Sequence, residues 1–181
     1  MKKLLSLLCG LAGLFCINNF AAIQSALQAN KQLTDYIEAA KYPERKLIIL
    51  TCMDARIDLV AQLGVNPGDA HILRNAGGIV TDDMIRSILL SIHALGTNQI
   101  MVINHTDCGV KGLYDRNFRD NLIKQFGTDT VAPSQFYGFS NLETNVKEQV
   151  QKILSHPWIP KGTIVEGFIA DVASGRIIKV Q

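Results

Sequence analysis

Two short runs of branched apolar residues most constrain how this chain can fold: Lys46–Thr51 (KLIILT) and Gln99–Asn104 (QIMVIN). The first has the pattern of a strand covered on both faces, and the second also reads as a strand. Ala70–Arg74 (AHILR) is a third strand candidate, and the segments between carry helical spacing. Residues 57–63 predict a short helix closed by Gly64 and the turn residues Asn66-Pro67-Gly68. Thr81 is a good N-cap, with Asp82 and Asp83 in the first turn and Met84, Ile85, Ile88, Leu89 and Ile92 at helical spacing before Gly96. A helix from about residue 110, a loop around Pro133 and a helix over 141–156 follow. Thr163–Val172 and Arg176–Val180 are the last strands, joined by a turn at Ala173-Ser174-Gly175. Strands alternating with helices need crossover connections. The expected fold is α/β: a mostly parallel central sheet flanked by helices, with a C-terminal strand-turn segment.

The start of the chain follows another rule. Lys2 and Lys3 precede an uncharged run from Leu4 to Ile17, then Asn18-Asn19-Phe20-Ala21-Ala22. A basic end, an apolar stretch and small residues beyond it describe a secretory signal, and the run falls short of the roughly 20 residues of a membrane span. Residues 1–22 are therefore read as a signal peptide without a clean Ala-x-Ala cleavage site, and 23–181 as one domain. The expected location is the bacterial periplasm, with no stable membrane span after cleavage, or the cytoplasm if the segment is not a working signal. Residues 24–40 predict a helix lying across the domain or on a partner.

Charge narrows the function classes. The chain has 18 Lys and Arg against 16 Asp and Glu, and two of the lysines lie in the first 22 residues, leaving 16 of each. That balance offers no basic face for nucleic acid. Cys9 and Cys16 lie in the leading segment too, so Cys52 and Cys108 are the cysteines left for chemistry.

Cys52 directly follows the first predicted strand and His105 the third. In open α/β sheets, ligands gather beyond the carboxyl ends of strands, where the strand order reverses. Cys108 stands three positions after His105, near the start of the helix expected at 110, a location that lowers a thiol's pKa. Two sulfurs and one imidazole nitrogen suit zinc and leave a fourth position open for water. The same residues admit a disulfide in an exported protein, with His105 as a satisfied core histidine. Asp54 and Arg56, two and four positions after Cys52, shift the balance to a metal, since a disulfide needs neither. His71 in a strand, His93 in a helix and His156 before Pro157 are read as structural.

Cys52-Met53-Asp54-Ala55-Arg56 resembles the Cys-x-Asp-x-Arg motif of the β-class carbonic anhydrases, and His105-Thr106-Asp107-Cys108-Gly109 resembles their His-x-x-Cys motif. Arg74-Asn75-Ala76-Gly77-Gly78 is similar to the family's glycine-rich loop, and Gly167, Asp171 and Gly175 to its closing strand-turn segment. The resemblance spans roughly residues 25–181 and is to the compact bacterial subgroup. Counterparts of the Gln, Phe and Tyr of the plant-type pocket are missing. The resemblance implies a β-carbonic anhydrase fold with one Zn2+ per chain, held by Cys52, His105 and Cys108. It gives Asp54 and Arg56 catalytic roles, with Asp54 able to swing onto zinc as fourth ligand and Arg56 keeping it occupied.

The implied reaction is the reversible hydration of CO2 to bicarbonate and a proton by a zinc-bound hydroxide that Asp54 orients. Hydrolysis of carbonyl sulfide or carbon disulfide on the same scaffold is a second reading. A non-enzymatic domain stabilised by zinc or a disulfide is the third. The family also implies a homodimer or higher homo-oligomer, with the apolar positions Ile23, Leu27, Leu33, Tyr36 and Ile37 wrapping a partner.

Overall fold

The computed structural model describes residues 22–31, 41–128, 133 and 135–181. The segment read as a signal lies outside that range except for Ala22, and so do residues 32–40, 129–132 and 134. The chain divides into two compact units, Met1–Glu38 and Ala39–Gln181. In the first, residues 22–31 form a helix (α1) that is exposed along its length. The helix expected at 24–40 is present over its described part, 24–31, and its half carrying Leu33, Tyr36 and Ile37 lies outside the described residues. No helix among the described residues is long and apolar enough to cross a membrane.

The second unit is built on a five-stranded sheet: β1 (Leu47–Cys52), β2 (Ala70–Asn75), β3 (Gln99–His105), β4 (Ile164–Ala170) and β5 (Ile177–Lys179), in the order β2-β1-β3-β4-β5. The first four strands are parallel, and β5 runs antiparallel to β4. The uninterrupted apolar run of β1 has its cause in burial on both faces. Ile48 and Leu50 pack with Val80, Met84, Ile85 and Ile88 and with Ile153. Ile49, pointing the other way, packs with Ile57, Leu59, Val65 and Ile103. Each such side chain contributes about 1.5–3 kcal/mol by leaving water.

The helices are α2 (Leu59–Leu63), α3 (Asp82–Leu95), α4 (Asp115–Phe126) and α5 (Leu142–Leu154). Asp58 caps α2 by accepting from the Val60 and Ala61 amides, Thr81 caps α3 through the Met84 amide, and Asn141 caps α5 through the Thr144 amide. The helix expected from about 110 begins only at Asp115. Residues 106–114 turn instead, because Asp107 (φ 54°) and Gly112 (φ 78°) are left-handed, and a right-handed helix cannot pass through either. The same segment meets the stretch before α5, where the Gly112 amide donates to the Phe139 carbonyl at 2.7 Å. Cys108 consequently lies on a turn seven residues before α4 rather than at a helix N-terminus.

The strand order places the site. The chain leaves β1 for β2 on one side, then returns to lay β3 on the other, so the order reverses between β1 and β3. The carboxyl ends of those two strands lie side by side, and their last residues are Cys52 and His105.

Candidate metal centre

Cys52, His105 and Cys108 come together as one buried cluster, their ligand atoms all within 4.8 Å of one another. His105 is 0% exposed. Its Nδ1 sits 2.8 Å from the Thr106 carbonyl; only a protonated Nδ1 can donate there, so in the neutral ring the lone pair is on Nε2. Among the described residues that buried Nε2 has no hydrogen-bond partner. A histidine tied through one nitrogen to a backbone carbonyl, with the other turned on two sulfurs, has the arrangement of a metal ligand. Both cysteines are free thiols.

The electrostatics of the cluster favour a cation. The Cys52 thiol is pushed well down, chiefly by the hydrogen bond from Cys108 and then by His105 and the amides of Asp54 and Gly77, against the opposing effect of burial. Cys108 is pushed up, first because it supplies the proton of that bond. His105 is raised, first by the Cys52 sulfur beside it, against burial. A cation that displaced the remaining thiol proton would gain a second thiolate, and metal uptake of this kind releases protons.

The glycine-rich loop supports the cluster from the third side. The Gly77 amide donates to Cys52 Sγ at 3.3 Å, and Asn104, from β3, donates to the Gly77 carbonyl. Gly78 is left-handed at φ 62°, and a Cβ on it would stand 3.1 Å from both the Cys52 nitrogen and the Thr51 carbonyl carbon. Those atoms belong to a buried strand and cannot give way. Gly78→Ala is therefore expected to lower stability by about 1–3 kcal/mol, read as an earlier midpoint in urea denaturation. An unchanged midpoint would show that the loop adapts.

Asp54 and Arg56 stand at the mouth of the cluster. Arg56 Nε donates to Asp54 Oδ1 at 3.0 Å and Nη2 to Oδ2 at 2.8 Å, a two-point grip reinforced by the Arg56 amide on Oδ1 at 2.9 Å. These bonds hold the Asp54 carboxyl well below the usual carboxylate range, the Arg56 side chain being the largest cause. Asp54 Oδ2 lies 3.8 Å from His105 Nε2. In this structure the Asp54 carboxylate faces Arg56, and it is not one of the three clustered ligand groups.

Two arginines make further contacts that the motifs alone do not assign. Arg56 Nη1 also donates to Asp107 Oδ2 at 2.7 Å, and Nη2 to the Asp107 carbonyl at 3.0 Å. Arg74, quoted above only as the start of the glycine-rich loop, donates to the carbonyls of Cys52, Asp54 and Ile57 at 2.9, 3.0 and 3.0 Å. It thereby holds the loop that carries Asp54. Its position at the end of β2, beside a strand end bearing a ligand, is the signal that could have singled it out.

A cleft of about 480 Å³ opens over the cluster, with Met53, Ala55, Ala76 and Val110 among its walls. The remaining histidines have structural partners. His71 Nδ1 is 2.6 Å from Ser91 Oγ, and His93 Nε2 is 2.9 Å from the Trp158 carbonyl. His156 follows α5 and its ring meets Trp158 edge to face.

Comparison with known proteins adds an independent line. A family model described as carbonic anhydrase matches residues 47–177. A β-carbonic anhydrase 1 of Mycobacterium bovis is 36% identical over 138 residues, covering 76% of this chain and 83% of its own length. A carbon disulfide hydrolase of an Acidianus species is 36% identical over 157 residues, covering 75% of this chain and 77% of its own. The solved structure of a carbonic anhydrase from Streptococcus mutans is similar with a TM-score of 0.81 and 38% identity, over 90% of this chain and 97% of that one.

Proposed function

This chain belongs to the β-class carbonic anhydrase family, and from that premise we propose that it is a zinc lyase catalysing the reversible hydration of CO2 to bicarbonate and a proton. The observation that carries the proposal is the unpartnered, fully buried Nε2 of His105 beside two cysteine sulfurs. The donor set fits zinc, which is borderline-soft and is held by sulfur and imidazole nitrogen in three-ligand catalytic sites. Held by Cys52, His105 and Cys108, the metal supplies a Lewis acid that brings the pKa of water down towards roughly 7.

The chain's own residues supply orientation and surroundings. Asp54 remains an ionised acceptor at working pH because Arg56 holds it so. It can take a hydrogen bond from a water at the mouth of the cluster and fix the direction of its lone pair. The apolar side chains of Met53, Ala55 and Val110 suit a small linear substrate without charge. Replacing Asp54 with Asn keeps the size but makes the acceptor ambiguous. The variant is expected to retain zinc and lose about 10- to 100-fold in CO2 hydration, the range for an outer-shell partner. Stopped-flow hydration and metal analysis of the same sample test it; parent-like speed would remove Asp54 from the mechanism.

A second reading has support of its own, since the Acidianus carbon disulfide hydrolase has the same 36% identity to this chain as the mycobacterial carbonic anhydrase. Assaying the zinc-loaded chain on CO2 and on carbon disulfide separates the two, and turnover of carbon disulfide alone would replace the first reading.

Assembly and location belong to the same proposal. Ile23 and Leu27 are 62% and 52% exposed on α1, which supports a homodimer or higher homo-oligomer. The basic-then-apolar start of the sequence supports export to the bacterial periplasm.

A further inference from the structure

Asp107 fills one of the two unassigned positions between His105 and Cys108, yet it joins the two loops that carry the site. Arg56 follows Cys52 on the loop after β1, and Asp107 precedes Cys108 on the loop after β3. The guanidinium spans them. Of its five N–H groups, Nε and one on Nη2 go to Asp54, while one on Nη1 and the other on Nη2 go to Asp107. Because the guanidinium is planar and its donors are fixed in a fork, two acceptors on different edges define its plane, whereas one leaves it free to turn with its partner.

The backbone of Asp107 is arranged for this double contact. Its φ of 54° is left-handed, a conformation that costs a non-glycine residue energy and that aspartate accepts more readily than most. That turn presents the Asp107 carbonyl and carboxylate to the same guanidinium, at 3.0 and 2.7 Å. The Asp107 side chain is otherwise 81% exposed, and that of Arg56 46%. An exposed ion pair of this kind contributes little to folding, so the contact is better explained by what it positions.

What it positions is Asp54. With Oδ2 3.8 Å from His105 Nε2, the Asp54 carboxylate stands next to the ligand cluster without being part of it. Arg56 occupies both of its oxygens. We propose that Asp107 is a positioning residue, fixing the Arg56 guanidinium between the two loops so that Asp54 stays beside the Cys52–His105–Cys108 cluster instead of joining it. The proposal rests on the carbonic anhydrase reading of the site and extends it to the loop of the second motif.

The test uses the zinc-loaded full chain, with Asp107→Asn and Asp107→Gly. Asparagine keeps the left-handed turn and removes the charge. Glycine takes that φ without cost, and so remains informative if the asparagine variant folds poorly. One readout is independent of activity: the hydrogen-exchange rate of the Arg56 Nε–H, followed by NMR. In both variants that proton is expected to exchange about tenfold faster and kcat/KM for CO2 to fall about tenfold, the scale of losing an outer-shell partner, with zinc content and Tm unchanged. A role confined to stability would move Tm and leave the exchange of this one proton in step with its neighbours. Exchange as slow as in the parent, in either variant, would overturn the proposal. A parent that turns over neither CO2 nor carbon disulfide would overturn the functional reading alone, and the exchange rates would still decide the role of Asp107.

Discussion

Replacing His105 or Cys108 with Ala is expected to empty the protein of zinc and bring CO2 hydration down to the uncatalysed rate. Each residue supplies one of the three protein ligands that the cluster offers, and a two-ligand site does not retain zinc against ordinary competitors. The two losses have different local consequences. Removing the His105 ring leaves a cavity where a side chain was 0% exposed, so part of the effect will be on folding. Cys108→Ser nearly preserves volume and isolates the loss of the sulfur, and it should empty the site as fully as the alanine variant. Metal content by elemental analysis, stopped-flow hydration and a thermal melt on the same preparation separate the contributions. Full activity in a zinc-free variant would sink the mechanism. A zinc-loaded parent that melts much higher than these variants but hydrates nothing would show the metal to be structural.

The parts of this protein that can be read from its sequence are those whose cause is local. β1 and β3 are legible because both faces are covered, and continuous apolar runs such as Leu47–Leu50 have few other uses in a chain of this size. The metal cluster is legible because two of its three ligands end strands: a parallel sheet whose order reverses between β1 and β3 delivers Cys52 and His105 to one place. Thr81 and Gly96 mark the ends of α3 by their own chemistry, one accepting from the Met84 amide and the other left-handed at φ 76°.

What escapes the sequence depends on partners far along the chain. The helix after the second motif starts at Asp115, not near 110, and the Asp115 carboxylate is engaged with the amides of Phe136, Tyr137 and Gly138 at 2.8, 3.1 and 3.0 Å. Those amides hold the Asp115 carboxyl below its ordinary value, with Gly138 contributing most. No local pattern contains that contact. Asp107 and Arg74 are missed for the same reason, since an acid in a turn and an arginine at a strand end have many uses until the loop opposite is known. Thr106 is a further case. Its carbonyl accepts from His105, while its hydroxyl donates to Asp171 Oδ1 at 3.2 Å and accepts from the Val172 amide at 3.1 Å. The closing strand-turn segment is therefore tied to the ligand histidine through one intervening residue.

Stripping zinc in air is expected to abolish activity in a way that zinc alone does not reverse. Tetrahedral zinc with bonds of about 2.3 Å to sulfur keeps two sulfurs roughly 3.8 Å apart. A disulfide needs them at about 2.05 Å with a defined dihedral, so metal and disulfide exclude each other. In the structure Cys52 and Cys108 are free, and their sulfurs lie within 4.8 Å. Closing that gap falls to Cys108, which sits on a turn, because Cys52 ends a buried strand and is held by the Gly77 amide. With dioxygen as the electron acceptor, the two thiols give up two electrons and two protons and form one S–S bond. If the leading segment directs export, the compartment favours the same product, and bound zinc is what keeps the pair reduced. The expected sequence is full loss after chelation in air, no recovery on adding zinc, and recovery when a reductant precedes it. Intact mass should show the loss of two hydrogens, and thiol labelling should reach Cys52 and Cys108 only after reduction. The same chelation under argon should be reversed by zinc alone. Recovery with zinc alone after hours of aerobic exposure would show that the β1 end and the Cys108 turn are too rigid to let the sulfurs meet.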